Sequence, residues 1–295
     1  MIRNIKPEDK PRVLEIAAKI WEGDDYIPEV FDEWVKDQNG IFSGLWEDDK
    51  LVGFGRLYYL TPTDIWLEGL RKDPDINIKG VGEKFARYYF QKLKGKKINS
   101  IRFSTYFDNI ASKKLNEKLG FKKILTLSLK TLEIKKKTRS GIPENLTTNF
   151  EFDELQNYIR NSNYLELSKN FIGKGWVVYP YSVELLTQFV NENKVIVWLN
   201  NKTIKGAAFY SDVSYENIFW ISFIDAENDR VYEELLNYLM NLVIEQDKKY
   251  IEILVPQDRL LLSFFESKDF KSWEQNNDFY LYELPEHLIK KITFQ

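Results

Sequence analysis

EGLRKDPDINIKGVGEKFARYYFQKL, residues Glu68–Leu93, begins as the end of an apolar strand and finishes as an amphipathic helix. The strand reads from Ile65 to Arg71, and the helix carries Phe85, Tyr89 and Leu93 on one face. Between them stands Asn77-Ile78-Lys79-Gly80-Val81-Gly82, a lysine-bearing turn with two glycines. Such a turn is either a tight corner with nothing bound or a cradle for phosphate. Glycine lets backbone N–H groups face a phosphate with no Cβ in the way. The start of a helix adds partial positive charge at the same point. Lys79, Lys84 and Arg87 would add more.

Outward from this joint the pattern alternates between helices and strands. Towards the N-terminus, Val13, Ile16, Ala17 and Ile20 recur at helical spacing, predicting a helix over 7–20. A second begins at Pro28, with Phe31, Trp34 and Val35 as its apolar face. Strands follow at 41–46, 51–59 and 65–71. Beyond the joint come a strand at 98–105, a helix at 110–119 and a strand at 122–134. Gly120-Phe121 reads as a helix C-cap, with glycine in the left-handed position and an apolar residue packing back. This is an α/β (α+β) domain over residues 1–134 with a mixed, mostly antiparallel sheet. Residues 135–149, with Lys135-Lys136-Lys137, Arg139, Ser140-Gly141 and Pro143, read as a linker.

Residues 150–295 repeat the order, with helices at 182–191, 230–246 and 259–267. Strands there fall at 194–199, 204–210, 217–224, 250–255 and 279–284. Trp66-Leu67-Glu68-Gly69-Leu70 aligns with Trp220-Ile221-Ser222-Phe223-Ile224, and KLNEKLGF with SFFESKDF. From Glu68 to Phe121 is 53 positions and from Ser222 to Phe270 is 48; the shortfall falls largely at the joint. There the second copy has only Asp225-Ala226-Glu227-Asn228-Asp229, acids that would repel a phosphate.

Composition narrows the chemistry. The 295 residues contain no cysteine and one histidine, His287. Disulfides, thiolate metal sites, cysteine nucleophiles and Ser-His-Asp triads are excluded or disfavoured, and no metal is expected. A net charge of -3 gives no global reason for a nucleic-acid or membrane partner. No apolar run reaches the roughly 18 residues of a membrane helix, and the charged start MIRNIKPEDK is not a signal peptide. A cytoplasmic location is expected.

The joint lacks the spacing of a P-loop, and Phe85 stands where a dinucleotide fingerprint needs its third glycine. Asn77-x-x-Gly80-x-Gly82 instead resembles the [RQ]-x-x-G-x-[GA] turn of the GNAT acyltransferases. Asn109-Ile110-Ala111 with Leu115 and Lys118-Leu119-Gly120-Phe121 matches that family's distal pattern, so the resemblance spans nearly all of residues 2–134. Residues 20–28, with Leu67-Glu68-Gly69-Leu70-Arg71, further resemble its animal histidine N-acetyltransferase branch.

The resemblance implies acetyl-CoA as donor. Its pyrophosphate would rest on Ile78, Lys79, Gly80, Val81, Gly82 and Glu83, behind Asn77. Its pantetheine would lie along Leu70, Arg71 and Lys72, with Asn109 and Lys113 as further contacts. Glu68 is the expected general base and the Leu70 N–H the expected oxyanion donor. Asp24, Asp25 and Tyr26 lie where the family shapes the acceptor pocket, and two acids with a ring suit a cationic amine. The family's acid tyrosine is Asn116 here, with Tyr106 as a substitute. Trp21, Trp34, Trp46 and Trp66 read as core.

The whole is read as two tandem GNAT-like domains. The second binds no coenzyme A and serves as a buttress, a cover for the acceptor cleft or a surface for homodimerisation. The leading function is acetyl transfer to a primary amine, whether a free amino acid, a small metabolite or a peptide N-terminus. A non-catalytic coenzyme A sensor or scaffold is the alternative.

Overall fold

The computed structural model describes residues 1–135, 139, 141–213, 215 and 217–294. Lys136, Lys137 and Ser140 of the expected linker lie outside the described residues. The chain forms two units. The first comprises Met1–Thr105, Asn109–Ile124 and Leu281–Gln295, and the second Tyr106–Asp108 and Leu125–Tyr280.

The first unit opens with β1 (Ile2–Asn4), a 3-10 turn at Pro7–Asp9 and α1 (Lys10–Ala17). The expected single helix over 7–20 is thus divided. Pro11 stands in the first turn of α1, where its missing N–H leaves no helical bond unmade, and the Pro7 turn stays separate. A second 3-10 turn at Trp21–Gly23 leads to α2 (Ile27–Lys36), β2 (Gly40–Glu47), β3 (Lys50–Tyr59) and β4 (Asp64–Lys72). Then come α3 (Val81–Leu93), β5 (Ser100–Tyr106) and α4 (Ile110–Lys118). Strands β1 to β5 are neighbours in that order, antiparallel except for β4 beside β5.

Val13, Ile16, Ile27, Phe31 and Trp34 of α1 and α2 pack on Phe42 and Phe54 of the sheet. Successive strand residues face opposite ways. Accordingly Gly55, next to Phe54, faces Tyr89 of α3, whose hydroxyl would lie 3.5 Å from a Cβ there.

The second unit begins with β6 (Lys122–Glu133), from Leu125 onward, and β7 (Leu146–Thr147). It continues with α5 (Phe152–Arg160), α6 (Asn163–Leu167), a hairpin of β8 (Phe171–Lys174) and β9 (Val177–Pro180), and α7 (Val183–Asn191). Next are β10 (Val195–Asn200), β11 (Thr203–Ser211), β12 (Ile218–Ala226), α8 (Asp229–Glu245), β13 (Tyr250–Pro256) and α9 (Arg259–Ser267). The order β7-β10-β11-β12-β13 repeats β1 to β5, and β12 and β13 are again the parallel pair. The expected repeat is therefore present as topology.

The division differs from contiguous blocks of 1–134 and 150–295. Leu127–Glu133 of β6 pair with β13 in the second unit, from Tyr250↔Glu133 to Pro256↔Leu127. The last strand, β14 (Phe279–Glu283), gives Leu281–Glu283 to the first unit beside β5, followed by α10 (Glu286–Phe294). There Tyr282 stacks on Phe103 at 5.1 Å and Arg102 pairs with Glu283 at 2.5 Å. Residues 135–149 also hold structure: Leu146 and Thr147 pair with Trp198 and Val197 of β10.

Candidate active site

Strand β4 carries a bulge. Arg56 of β3 stands opposite Glu68 and Phe54 opposite Arg71, so Gly69 and Leu70 both face the single residue Gly55. Gly69 has φ +63°, and a Cβ on it would come within 2.6 Å of the Trp34 ring. Glycine is therefore required there twice, by backbone conformation and by space. Ladder pairing of β4 with β5 covers Asp64↔Ser100 to Trp66↔Arg102. From Leu67 onward β4 has no strand on that side among the described residues.

Glu68 sits at this divergence with its side chain 12% exposed. Arg56 Nη1 donates to its Oε1 at 2.5 Å. Burial pushes the carboxyl up to about 6, with Arg56 pulling the other way and Glu33 and Asp37 reinforcing the rise. A carboxylate with that affinity can hold or release a proton near neutral pH.

Beyond β4 the chain is pinned by Asp73, a fully buried residue that sequence reasoning missed. Arg12 of α1 and Lys19 bind its carboxylate, the latter at 3.3 Å, and Asp75 N–H donates to it at 3.1 Å. Burial works to raise this acid, yet those donors hold it below the usual carboxylate range. The pinned loop delivers Asn77–Lys79 to the start of α3.

Gly80, the N-cap, has φ +72°, and no side chain caps the helix. The first helical bond runs from Lys84 N–H to Gly80 O at 3.0 Å. The N–H groups of Val81, Gly82 and Glu83 thus have no acceptor within the helix. Nothing lies within 4 Å of where a Gly80 Cβ would stand. Gly82 is glycine for another reason: a Cβ there would be 2.2 Å from Leu115 of α4. It permits α3 and α4 to approach, a role its place in the turn does not disclose. Lys84 is engaged by Glu47 at 2.5 Å, and Lys79 and Arg87 are further exposed cations of the joint.

Helix α4 begins at Asn109, whose side chain accepts from Ser112 N–H at 3.0 Å, so its carboxamide oxygen serves as a cap. Lys113 lies in its first turn. The helix ends as expected, with Gly120 N–H on Glu117 O and Phe121 N–H on Asn116 O, and Gly120 at φ +96°. The Asn116 amide turns back to Ser112 O at 2.9 Å.

The structure places the three acceptor-loop residues differently from one another. Asp25 is buried and bound by Arg71, through Nε at 2.7 Å and Nη2 at 3.3 Å. Its charge is matched by Arg71 within the protein. Arg71 also donates to Leu70 O at 3.1 Å and lies 4.4 Å above the Trp21 ring. Trp21 itself is 56% exposed, unlike the core residues Trp34 and Trp66. Trp21, Glu22 and Gly23 all have positive φ, which turns that indole outward. Tyr26 lies edge-on to Trp34 at 6.0 Å, and burial raises its hydroxyl above the usual range. Asp24 is exposed.

Tyr106 groups with the second unit. Its ring packs on Phe107 and Trp273, and its hydroxyl is buried without a partner. Burial pushes that hydroxyl up to about 12, with Asp278 and Glu274 adding to the rise, which makes it a weak proton donor.

The equivalent joint in the second unit is closed. β12 and β13 pair from Ile218↔Tyr250 to Ile221↔Ile253 and then part. Tyr164 of α6 bridges the gap: its N–H donates to Asp225 at 3.0 Å and its hydroxyl to Leu254 O at 2.7 Å. Tyr158 adds a bond to Asp225 at 3.0 Å. Asn228 caps α8 through Val231 N–H at 3.1 Å. Ser222, at the bulge between Tyr210↔Ile221 and Phe209↔Phe223, is fully buried against Ser211 at 2.6 Å.

Among the described residues no helix is long and apolar enough to cross a membrane, and no group of three or more His, Cys, Asp or Glu is placed to hold a metal.

Residues 5–121 match the acetyltransferase (GNAT) family. No curated protein matches the chain. Among solved structures the chain is similar to a GCN5-related N-acetyltransferase from Sphaerobacter thermophilus, with TM-score 0.66 and 13% identity over 96% of this chain and 94% of that one. It is similar to a tandem GNAT protein from the clavulanic acid biosynthesis pathway, with TM-score 0.62 and 9% identity over 97% and 98%. A third is the glucosamine N-acetyltransferase region of a fungal multi-domain beta-N-acetylglucosaminidase, with TM-score 0.67 and 12% identity over 96% of this chain and 38% of that one. At such identities the likeness is one of fold: two tandem GNAT-like domains.

Proposed function

We propose, from the match of residues 5–121 to the acetyltransferase (GNAT) family, that the chain transfers an acetyl group from acetyl-CoA to a primary amine. The observation that carries this reading is Glu68, a carboxyl bound by Arg56 and pushed up to about 6, on a bulged strand whose free edge leads to an uncapped helix.

Coenzyme A fits the residues present. Gly80 leaves open the space a Cβ would fill, and the amides of Val81, Gly82 and Glu83 offer donors to a pyrophosphate. Lys79 and Arg87 suit a further phosphate, the β4 edge at Leu70–Lys72 suits the pantetheine amides, and Asn109 and Lys113 complete the α4 side. Bound there, acetyl-CoA supplies an acyl thioester.

Glu68 accepts the proton of the amine as it attacks. The Leu70 N–H, at the bulge, would offer a hydrogen bond to the oxygen of an acyl carbonyl held there. Glu33, Asp37 and Glu68 outnumber Arg56, which favours a cationic acceptor on the α2 side. Asn116 has no proton to give, and a leaving group of pKa about 8.5 does not require one. Free amino acids, small metabolite amines and peptide N-termini are all candidate acceptors. The likeness of residues 20–28 to the histidine N-acetyltransferase branch puts free amino acids first in a panel.

Glu68→Gln should lower turnover by about 10²–10⁴-fold while leaving acetyl-CoA binding intact, read by thiol release and thermal melts. Wild-type rate should fall tenfold per pH unit below about 6 as Glu68 takes up its proton. Unchanged turnover in the variant would sink the base assignment. The second reading, a coenzyme A sensor, is favoured by the self-engaged Asn116. Binding with no transfer to any amine would select it.

A further inference from the structure

We infer that Arg56 is the positioning residue for Glu68, and that Asp37 sets the strength of its hold by sharing the same guanidinium. Arg56 is 5% exposed. Its Nη1 binds Glu68 at 2.5 Å and its Nη2 binds Asp37. Its guanidinium carbon lies over two rings, 4.8 Å from the centre of Trp34 and 4.4 Å from that of Tyr58. The slot is closely built: a Cβ on Gly40 would stand 2.7 Å from Arg56 Nε and 2.9 Å from Asp37. Asp37 is itself fixed, accepting from Asn39 N–H at 2.8 Å just beyond the end of α2.

One cation therefore serves two carboxylates, and its contacts with both rings and both acids hold the guanidinium in place. Glu68 presents one oxygen to Arg56 at a fixed angle, and its proton affinity depends on how much of that positive charge Asp37 neutralises. The charged and titratable groups around Glu68 are Arg56 from β3, Glu33 and Asp37 from α2 and its end, Tyr26 from the preceding loop and Tyr89 from α3. Arg56 is the cation in contact with it. Removing the Asp37 charge should make Glu68 more acidic, and removing the Arg56 charge should make it less so.

The inference rests on the reading of Glu68 as base, and its test separates the two. The full-length protein, selectively carbon-13 labelled at glutamate, is titrated by NMR, with the Glu68 carboxyl assigned by its loss in Glu68→Gln. The pH profile of acetyl transfer is recorded on the same variants. Asp37→Asn should move the Glu68 midpoint and the acid limb of the profile down by on the order of one pH unit. Arg56→Met should move both up by a similar amount, and Arg56→Lys should fall between. A structural role alone would change rate or stability without moving the midpoint. Midpoints unmoved by Asp37→Asn and Arg56→Lys overturn the inference, even if Arg56→Met fails to fold. Midpoints that move in opposite directions while the rate profile ignores them uphold Arg56 and Asp37 and reject Glu68 as base.

Discussion

The two strand–helix joints occupy the same place in two copies of one fold and solve the same problem in opposite ways. Every helix start leaves amide groups that need acceptors. In the second unit Asn228 supplies one to α8, and Tyr164, Tyr158 and Asp225 close the gap between β12 and β13. In the first unit Gly80 supplies none, and among the described residues β4 beyond Trp66 has no strand on its β5 side. The first joint leaves polar backbone groups that the protein does not satisfy itself, whereas in the second a tyrosine and an asparagine satisfy them.

The buried glutamates differ likewise. Glu68 has the Arg56 guanidinium, whereas Glu252 of β13 has the Thr131 hydroxyl at 3.1 Å, and burial pushes its carboxyl up to about 7.

The largest expected effect probes that contrast. Glu252 is raised from 4.5 to about 7 on folding. Its contribution to stability is full below 4.5 and is lost as pH rises to 7, because the unfolded chain ionises first. Glu252→Gln should therefore match wild type at pH 4 and exceed it by roughly 3 kcal/mol above pH 7, measured by denaturant titration. An advantage independent of pH would place the gain in packing. Slightly smaller is the ligand effect at the open joint. Acetyl-CoA at a hundred times its dissociation constant should stabilise the wild type by about 2.7 kcal/mol, and Gly80→Val should lose that gain. Retention of the full shift would make the turn only a turn. Smallest is the closed joint: Asn228→Ala should cost about 1 kcal/mol and leave the acetyl-CoA shift unchanged. A changed shift would bring the second unit into donor binding.

Much of this was legible locally. The joint, the Gly120-Phe121 cap and the repeated strand order follow from spacing and turn chemistry within a few residues. What escaped depends on partners distant in sequence. Nothing near Asp25 foretells its bond to Arg71, far along the chain. Trp21 looks like core until the backbone of residues 21–23 turns it out. Tyr164 lies in a stretch with no strong period, and nothing near it foretells a bond to Leu254. The exchange of last strands was hidden for the same reason. β6 and β14 are both apolar strands that would fit either sheet, and local pattern does not say which neighbour each one joins.

That exchange has a consequence for the order in which the protein can be made. The first unit takes its closing strand, Leu281–Glu283, and the α10 helix packed on α3 from residues that follow the long run Leu125–Tyr280 of the second unit. A nascent chain released only as far as α4 has every element that would hold the donor, but its β5 edge is still bare. Contacts between residues so far apart in sequence form slowly, and exposed strand edges invite pairing with other chains. The first unit is thus completed only after the run that builds the second has been made.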